Sequence, residues 1–187
     1  MKNSKSILTL IRQLRNRKFP LVFIAGLVAL SLVMDNCANI TSNISYSSSD
    51  ECQVLKIYDG DTITIQCPDN PKKTKVRLYC IDTPEMQQKP WGIQSRDFLR
   101  SITGEKVGLV KIDKDRYGRI VGEVYSDGVN LNLAQVEAGK AAVYNQYCKK
   151  SEYEDAEKIA KQEKIGIWSE PGLHQEPWQW RKNKRNK

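Results

Sequence analysis

Histidine is nearly absent from this 187-residue chain, with His174 as its single copy. Enzymes that need two or more histidines are thereby excluded, and a Ser-His-Asp triad would have to recruit this one residue near the end of the chain. The five cysteines include no C-x-x-C, which argues against a thiol-based metal or redox site. The centre of the chain also lacks net charge. Overall the protein is +8, yet residues 51–180 carry 19 basic and 20 acidic side chains, so any grip on a polyanion must come from local arrangement. Finally, no apolar run reaches the about 20 residues that a membrane-crossing helix requires. With 40% hydrophobic and 28% charged residues, the chain is neither disordered nor wholly membrane-embedded.

The apolar run that is present covers residues 21–34, follows six bases and no acid in residues 1–20, and has the form of a signal peptide. A good cleavage site is missing, because Asn36 stands two before Ala38, so retention as an uncleaved anchor stays open beside release. Asp35 and Asn36 speak against a lipoprotein reading of Cys37. Residues 1–38 are thus a signal or anchor, 39–50 a flexible Ser/Asn-rich linker, 51–168 the folded domain, and 169–187 a basic tail with Trp178 and Trp180.

Within the domain, segments 54–58, 62–67 and 75–81 read as strands, separated by Asp59-Gly60 and by Pro68-Asp69-Asn70-Pro71. Two further strands, 106–112 and 120–125, meet at a turn around Tyr117-Gly118. Helical spacing marks 91–102 and 130–137, and a last helix starts at a Ser151/Glu154 capping box and stops at Gly166. Five short strands with a helix after the third predict an α+β fold, an OB-type five-stranded barrel with three helices.

Three clusters carry candidate chemistry: Asp59-Gly60-Asp61-Thr62, the run from Arg77 through Asp82-Thr83-Pro84-Glu85, and Asp115-Arg116-Tyr117-Gly118-Arg119. Each alone is an ordinary turn. Together they put carboxylates and guanidiniums at strand ends, where separate loops converge. Asp61 and Asp82 suit a hard divalent cation with oxygen ligands, and Glu85 suits the handling of an attacking water. Arg77 and Arg119 suit the negative charge of a pentacovalent phosphoryl transition state. Metal-assisted phosphodiester cleavage uses such a set.

These motifs, with Gly-Ile-Trp at 166–168, resemble the staphylococcal nuclease (thermonuclease) family over about residues 51–168. The resemblance implies a calcium-dependent OB-fold enzyme that cleaves DNA and RNA and leaves 3′-phosphate ends. It implies calcium ligation by the carboxylates of Asp61 and Asp82 and the carbonyl of Thr83, and catalytic positions at Arg77, Glu85 and Arg119. Glu85 would serve as general base or orient the water. Tyr117 would match an aromatic of the nucleotide pocket, with Tyr147 and Tyr144 competing for another. The expected chain is an exported monomer, secreted, periplasmic or held at a membrane through residues 21–34. The segment 86–91 is shorter than in the best-known member, and the tail is either a solvated terminus or a hold on the substrate backbone. A catalytically silent barrel that binds nucleic acid or protein is the alternative.

Four cysteines lie in the domain. If Asp59-Gly60 is a two-residue turn, Tyr58 faces Asp61, Val54 faces Ile65, Lys56 faces Ile63, and Cys52 falls opposite Cys67 with Cα atoms about 5.5 Å apart. Cys80 and Cys148 are then left for each other, and with the family's placement of the 144–147 run their bridge would tie a substrate loop to the metal loop.

Overall fold

The structure, a computed structural model, describes residues 51–186. The expected signal or anchor (1–38) and linker (39–50) lie outside them. Among the described residues, no helix is long and apolar enough to cross a membrane.

Five strands close a barrel: β1 (Cys52–Ile57), β2 (Thr62–Cys67), β3 (Asn70–Leu78), β5 (Lys106–Lys114) and β6 (Ile120–Ser126). Neighbours pair antiparallel in the order β3-β2-β1-β5-β6, and a parallel pairing of β3 with β6, Arg77 beside Val121, shuts the seam. The chain is an OB-type α+β fold. Buried Ile63, Ile65, Val76, Leu78, Val107 and Val124 fill the barrel. Short strands β4 (Ile81–Asp82) and β8 (Ala142–Val143) form a second sheet, and β7 (Val129–Asn130) extends β6. Around the barrel lie α1 (Trp91–Ile102), α2 (Leu131–Glu137), α3 (Ser151–Gln162) and α4 (Pro177–Arg185). The fourth helix belongs to the expected tail.

The β1–β2 register differs from the expectation at its tip. Lys56 faces Thr64 and Ile57 faces Ile63, and the Tyr58 amide donates to the Thr62 carbonyl at 3.1 Å. The turn therefore has three residues, Asp59, Gly60 and Asp61. A bulge between Val54 and Lys56 absorbs the offset, so Val54 still faces Ile65 and Cys52 still reaches Cys67. Their Cα atoms are 4.1 Å apart, closer than a hydrogen-bonded pair would stand.

β3 ends at Leu78 instead of running on to Ile81. Leu78, Tyr79, Cys80 and Ile81 are all buried, which a strand with alternating faces does not do, and Cys80 turns the chain at φ 68°. Ile81 and Asp82 then pair with Val143 and Ala142. The capping box also fails to form. Lys150 is the N-cap of α3, and its side chain is held by Glu123 at 2.8 Å, leaving Ser151 inside the first turn. α3 stops at Gln162 rather than at Gly166, because Lys164 (φ 53°) and Ile165 donate back to Lys161 and Ala160.

Cys80–Cys148 closes a 68-residue separation and Cys52–Cys67 one of 15. Chain-entropy arithmetic assigns the longer bridge about 4 kcal/mol and the shorter about 3. Replacing Cys80 and Cys148 by Ala is therefore expected to lower the urea unfolding free energy more than replacing Cys52 and Cys67. The reverse order would show that loop length does not govern these bridges.

Candidate active site

The β1–β2 turn lies against α1 because its central residue has no side chain. A Cβ on Gly60 would stand 1.9 Å from Ser95 Oγ and 2.9 Å from Thr83 Cγ2. Buried Gln135 of α2 secures the turn by donating to the Gly60 carbonyl at 2.6 Å. Asp61, 7% exposed, accepts at Oδ2 from both the amide (3.0 Å) and the hydroxyl (2.9 Å) of Thr83. Asp59 Oδ1 accepts the Asp61 amide at 3.1 Å.

Arg77, near the end of β3, joins two loops. Its Nη1 lies 2.9 Å from Asp61 Oδ2 and its Nη2 2.9 Å from Asp82 Oδ1. Asp82 is fully buried, placed there by the β4–β8 pairing. Glu85 follows on a loop in which its amide donates to Gln88 Oε1 and its carbonyl accepts from the Gln88 amide. α1 starts close against that loop, since a Cβ on Gly92 would meet the Glu85 carbonyl oxygen at 2.2 Å.

One further guanidinium enters from the tail. Arg181 of α4 donates to Asp82 Oδ1 (3.1 Å) and Oδ2 (2.8 Å) and to Glu85 Oε1 (2.9 Å). Arg119 has partners of its own: just before β6 its Nε is 2.7 Å from Asp115 Oδ2, and its guanidinium carbon is 5.8 Å from the Tyr117 ring centre. The rings of Tyr117 (71%) and Tyr147 (57%) are exposed. Tyr144 is covered, stacked on Trp178 at 5.6 Å and met edge-on by Tyr147 at 4.9 Å.

Crowding shows in the acidities. Burial, and then the charge of Asp61, push Asp59 up to about 7 and Asp82 up to about 6. Four carboxylates (Asp59, Asp61, Asp82, Glu85) face two guanidiniums (Arg77, Arg181), a surplus of two negative charges once all four are ionised. No three acid, cysteine or histidine side chains among the described residues gather closely enough to enclose a metal by themselves.

A carboxyl whose pKa is raised on folding stabilises the fold below its ordinary pKa near 4, and this stability is lost as pH rises through the folded value. In chelator, stability carried by Asp59 and Asp82 is therefore expected to fall between about pH 4 and 7. Asp59→Asn should raise the unfolding free energy at pH 8 by on the order of 2 kcal/mol and leave it unchanged near pH 4. Urea titrations of both chains at the two pH values check this; equal curves at pH 8 would mean that Asp59 is not strained by its neighbours.

A family model described as "Staphylococcal nuclease homologue" matches residues 75–170. The chain belongs to the staphylococcal nuclease family. It is 40% identical to an uncharacterized endonuclease of Escherichia coli over 71% of this chain and 85% of that one. It is 34% identical to an uncharacterized endonuclease of Haemophilus influenzae over 91% and 88% of the two chains, and 35% identical to a micrococcal nuclease of Shigella flexneri over 72% and 82%. Arg77, Asp82, Glu85 and Arg119 fall inside the segment that matches the staphylococcal nuclease model, while Asp59, Asp61 and Arg181 fall outside it.

The geometry thus brings together Asp61, Arg77, Asp82, Thr83 and Glu85 from the sequence-derived set, while Arg119 and Tyr117 sit on the β5–β6 hairpin, whose strand β6 runs beside β3 at Arg77. Two residues of this nuclease centre escape a sequence reading. Asp59 reads as turn chemistry, although a second carboxylate two residues before Asp61 was the available signal. Arg181 has no local signal, since its partners lie 96 and 99 residues away.

Proposed function

We propose that this nuclease is an exported, calcium-dependent, sugar-nonspecific phosphodiesterase that cleaves DNA and RNA and leaves 3′-phosphate ends. The observation that carries the proposal is the Arg77 fork joining Asp61 to Asp82, with Glu85 on the adjoining loop. An all-oxygen donor set with two surplus negative charges suits a hard divalent cation better than a thiophilic metal. Asp61 and Asp82 would hold it through carboxylates and Thr83 through its carbonyl, with water completing the shell. Bound there, the cation supplies positive charge to the phosphate.

The chain's own residues do the rest. Glu85 takes a proton from water as the new O–P bond forms, and the bond from phosphorus to the 5′ oxygen breaks, so that the leaving oxygen gains a proton and the phosphate stays on the 3′ side. Arg77 and Arg119 supply planar, permanently charged forks to the equatorial oxygens. The exposed rings of Tyr117 and Tyr147 offer stacking faces that accept any base, with Tyr144 behind Tyr147. Every group named belongs to one chain, so a monomer suffices. Two disulfides fit an oxidising compartment, which supports export, whether the chain is released or kept at a membrane by residues 21–34.

The test is incubation of the full chain with single-stranded DNA and with RNA, in calcium and in chelator, followed by end analysis. Cleavage of both polymers to 3′-phosphates in calcium alone is expected. Undiminished activity in excess chelator would remove the metal, and binding without cleavage would make the protein a silent barrel.

A further inference from the structure

α4 is built into the domain at several points. Its first residue, Pro177, is buried, Trp178 stacks on Tyr144 with the ring planes 5° apart, and Lys184 donates to Gln87 in the loop that carries Glu85. The preceding turn is pinned as well: His174 stacks on Trp91 of α1 at 4.6 Å, and Gln175 donates to the Ile167 carbonyl at 3.1 Å. Arg181 is therefore delivered by a helix with a fixed position rather than by a loose end. Glu85, by contrast, sits on a loop with its side chain 37% exposed, and among the described residues Arg181 is the one partner of its carboxylate.

We propose that Arg181 is a positioning residue of the nuclease centre, whose guanidinium spans Asp82 and Glu85 and holds the Glu85 carboxylate in one orientation toward the attacking water. This rests on the role given to Glu85 above. A planar fork that bonds both oxygens of a fully buried carboxylate has its own direction set, and so sets the direction of its second partner. Room for a cation remains with Arg181 in place: among the described residues Asp82 Oδ2 accepts from Arg181 alone, which leaves it a second lone pair. With all four carboxylates ionised, Arg77 and Arg181 leave two negative charges, the number that one divalent ion neutralises.

The experiment compares the full chain with Arg181→Ala and Arg181→Lys on a single-stranded DNA oligonucleotide at saturating calcium. Arg181→Ala is expected to lower kcat by about thirtyfold or more with KM changed less than about threefold, since a misplaced base costs turnover more than binding. Low millimolar guanidinium chloride should restore a good part of that loss. Arg181→Lys should stay well below wild type, because one ammonium cannot span both carboxylates. A kcat equal to or above wild type in Arg181→Ala would overturn the proposal and show that the fork obstructs the cation instead. A loss that guanidinium does not rescue, matched by a lower unfolding temperature, would reduce Arg181 to an anchor of the tail. Calcium-free crystal structures of wild type and Arg181→Ala give a readout without turnover: one Glu85 orientation in the first and several in the second are expected, and one in both would overturn positioning. Should wild type cleave nothing, the nuclease function fails and this comparison still decides the role of Arg181.

Discussion

Glu85→Gln is expected to lower kcat by more than about a hundredfold at saturating calcium, with KM nearly unchanged and the fold intact. The amide has the size of the carboxylate and keeps an oxygen for the 2.9 Å bond from Arg181, so the loop and the tail stay in place. The Gln88 contacts use the Glu85 backbone, which the substitution does not touch. What is removed is the group proposed to accept a proton from water, an interaction that would be made only on the way to the transition state. Steady-state kinetics on a single-stranded oligonucleotide, with circular dichroism as control, decides it. A fall of less than about tenfold would assign the proton to another group.

Arg77→Lys is expected to lose at least as much activity and stability besides. A lysine keeps the charge but presents a single point where Arg77 spans Asp61 and Asp82, 2.9 Å from each, and it cannot also keep the bond to the Leu78 carbonyl. One of the two buried carboxylates then loses a charge-assisted hydrogen bond, at a cost of about 1–3 kcal/mol. Turnover is expected to fall by more than about a hundredfold, because the fork proposed to meet the phosphoryl oxygens would be gone and the loops of Asp61 and Asp82 would no longer be held together. Kinetics and urea unfolding together test both halves. Full stability with lost turnover would separate the fork's catalytic part from its structural one, while wild-type turnover would remove Arg77 from the mechanism.

The sequence made most of this legible where chemistry is local. Helix Trp91–Ile102 begins and ends where its spacing says, and the barrel follows from five short β-rich segments. The misses occur where a tertiary neighbour outweighs a local signal. Lys150, held by Glu123, takes the N-cap position without a side-chain cap bond, and the Ser151/Glu154 pattern goes unused. Cys80 turns because Ile81 and Asp82 find partners in Ala142–Val143, a pairing more than fifty residues distant that periodicity does not report. Leu55 is one residue more than a regular ladder needs, and nothing in its type announces a bulge. Arg181 reads as one base among five in a terminal tail and takes its meaning only from where α4 docks.

The two disulfides divide the site in a manner that bears on its survival among proteases. Asp59 and Asp61 lie inside the small covalent ring closed by Cys52 and Cys67. Asp82, Glu85, Tyr117, Arg119, Tyr144 and Tyr147 all lie inside the large one closed by Cys80 and Cys148. A single backbone cut within either ring releases no fragment, so a nick at the exposed 115–118 tip leaves every piece attached. Arg181 lies outside both rings, beyond the exposed stretch 169–173. Cleavage there separates the turn of His174 and Gln175 together with α4, and of the residues gathered at the carboxylates it takes only Arg181.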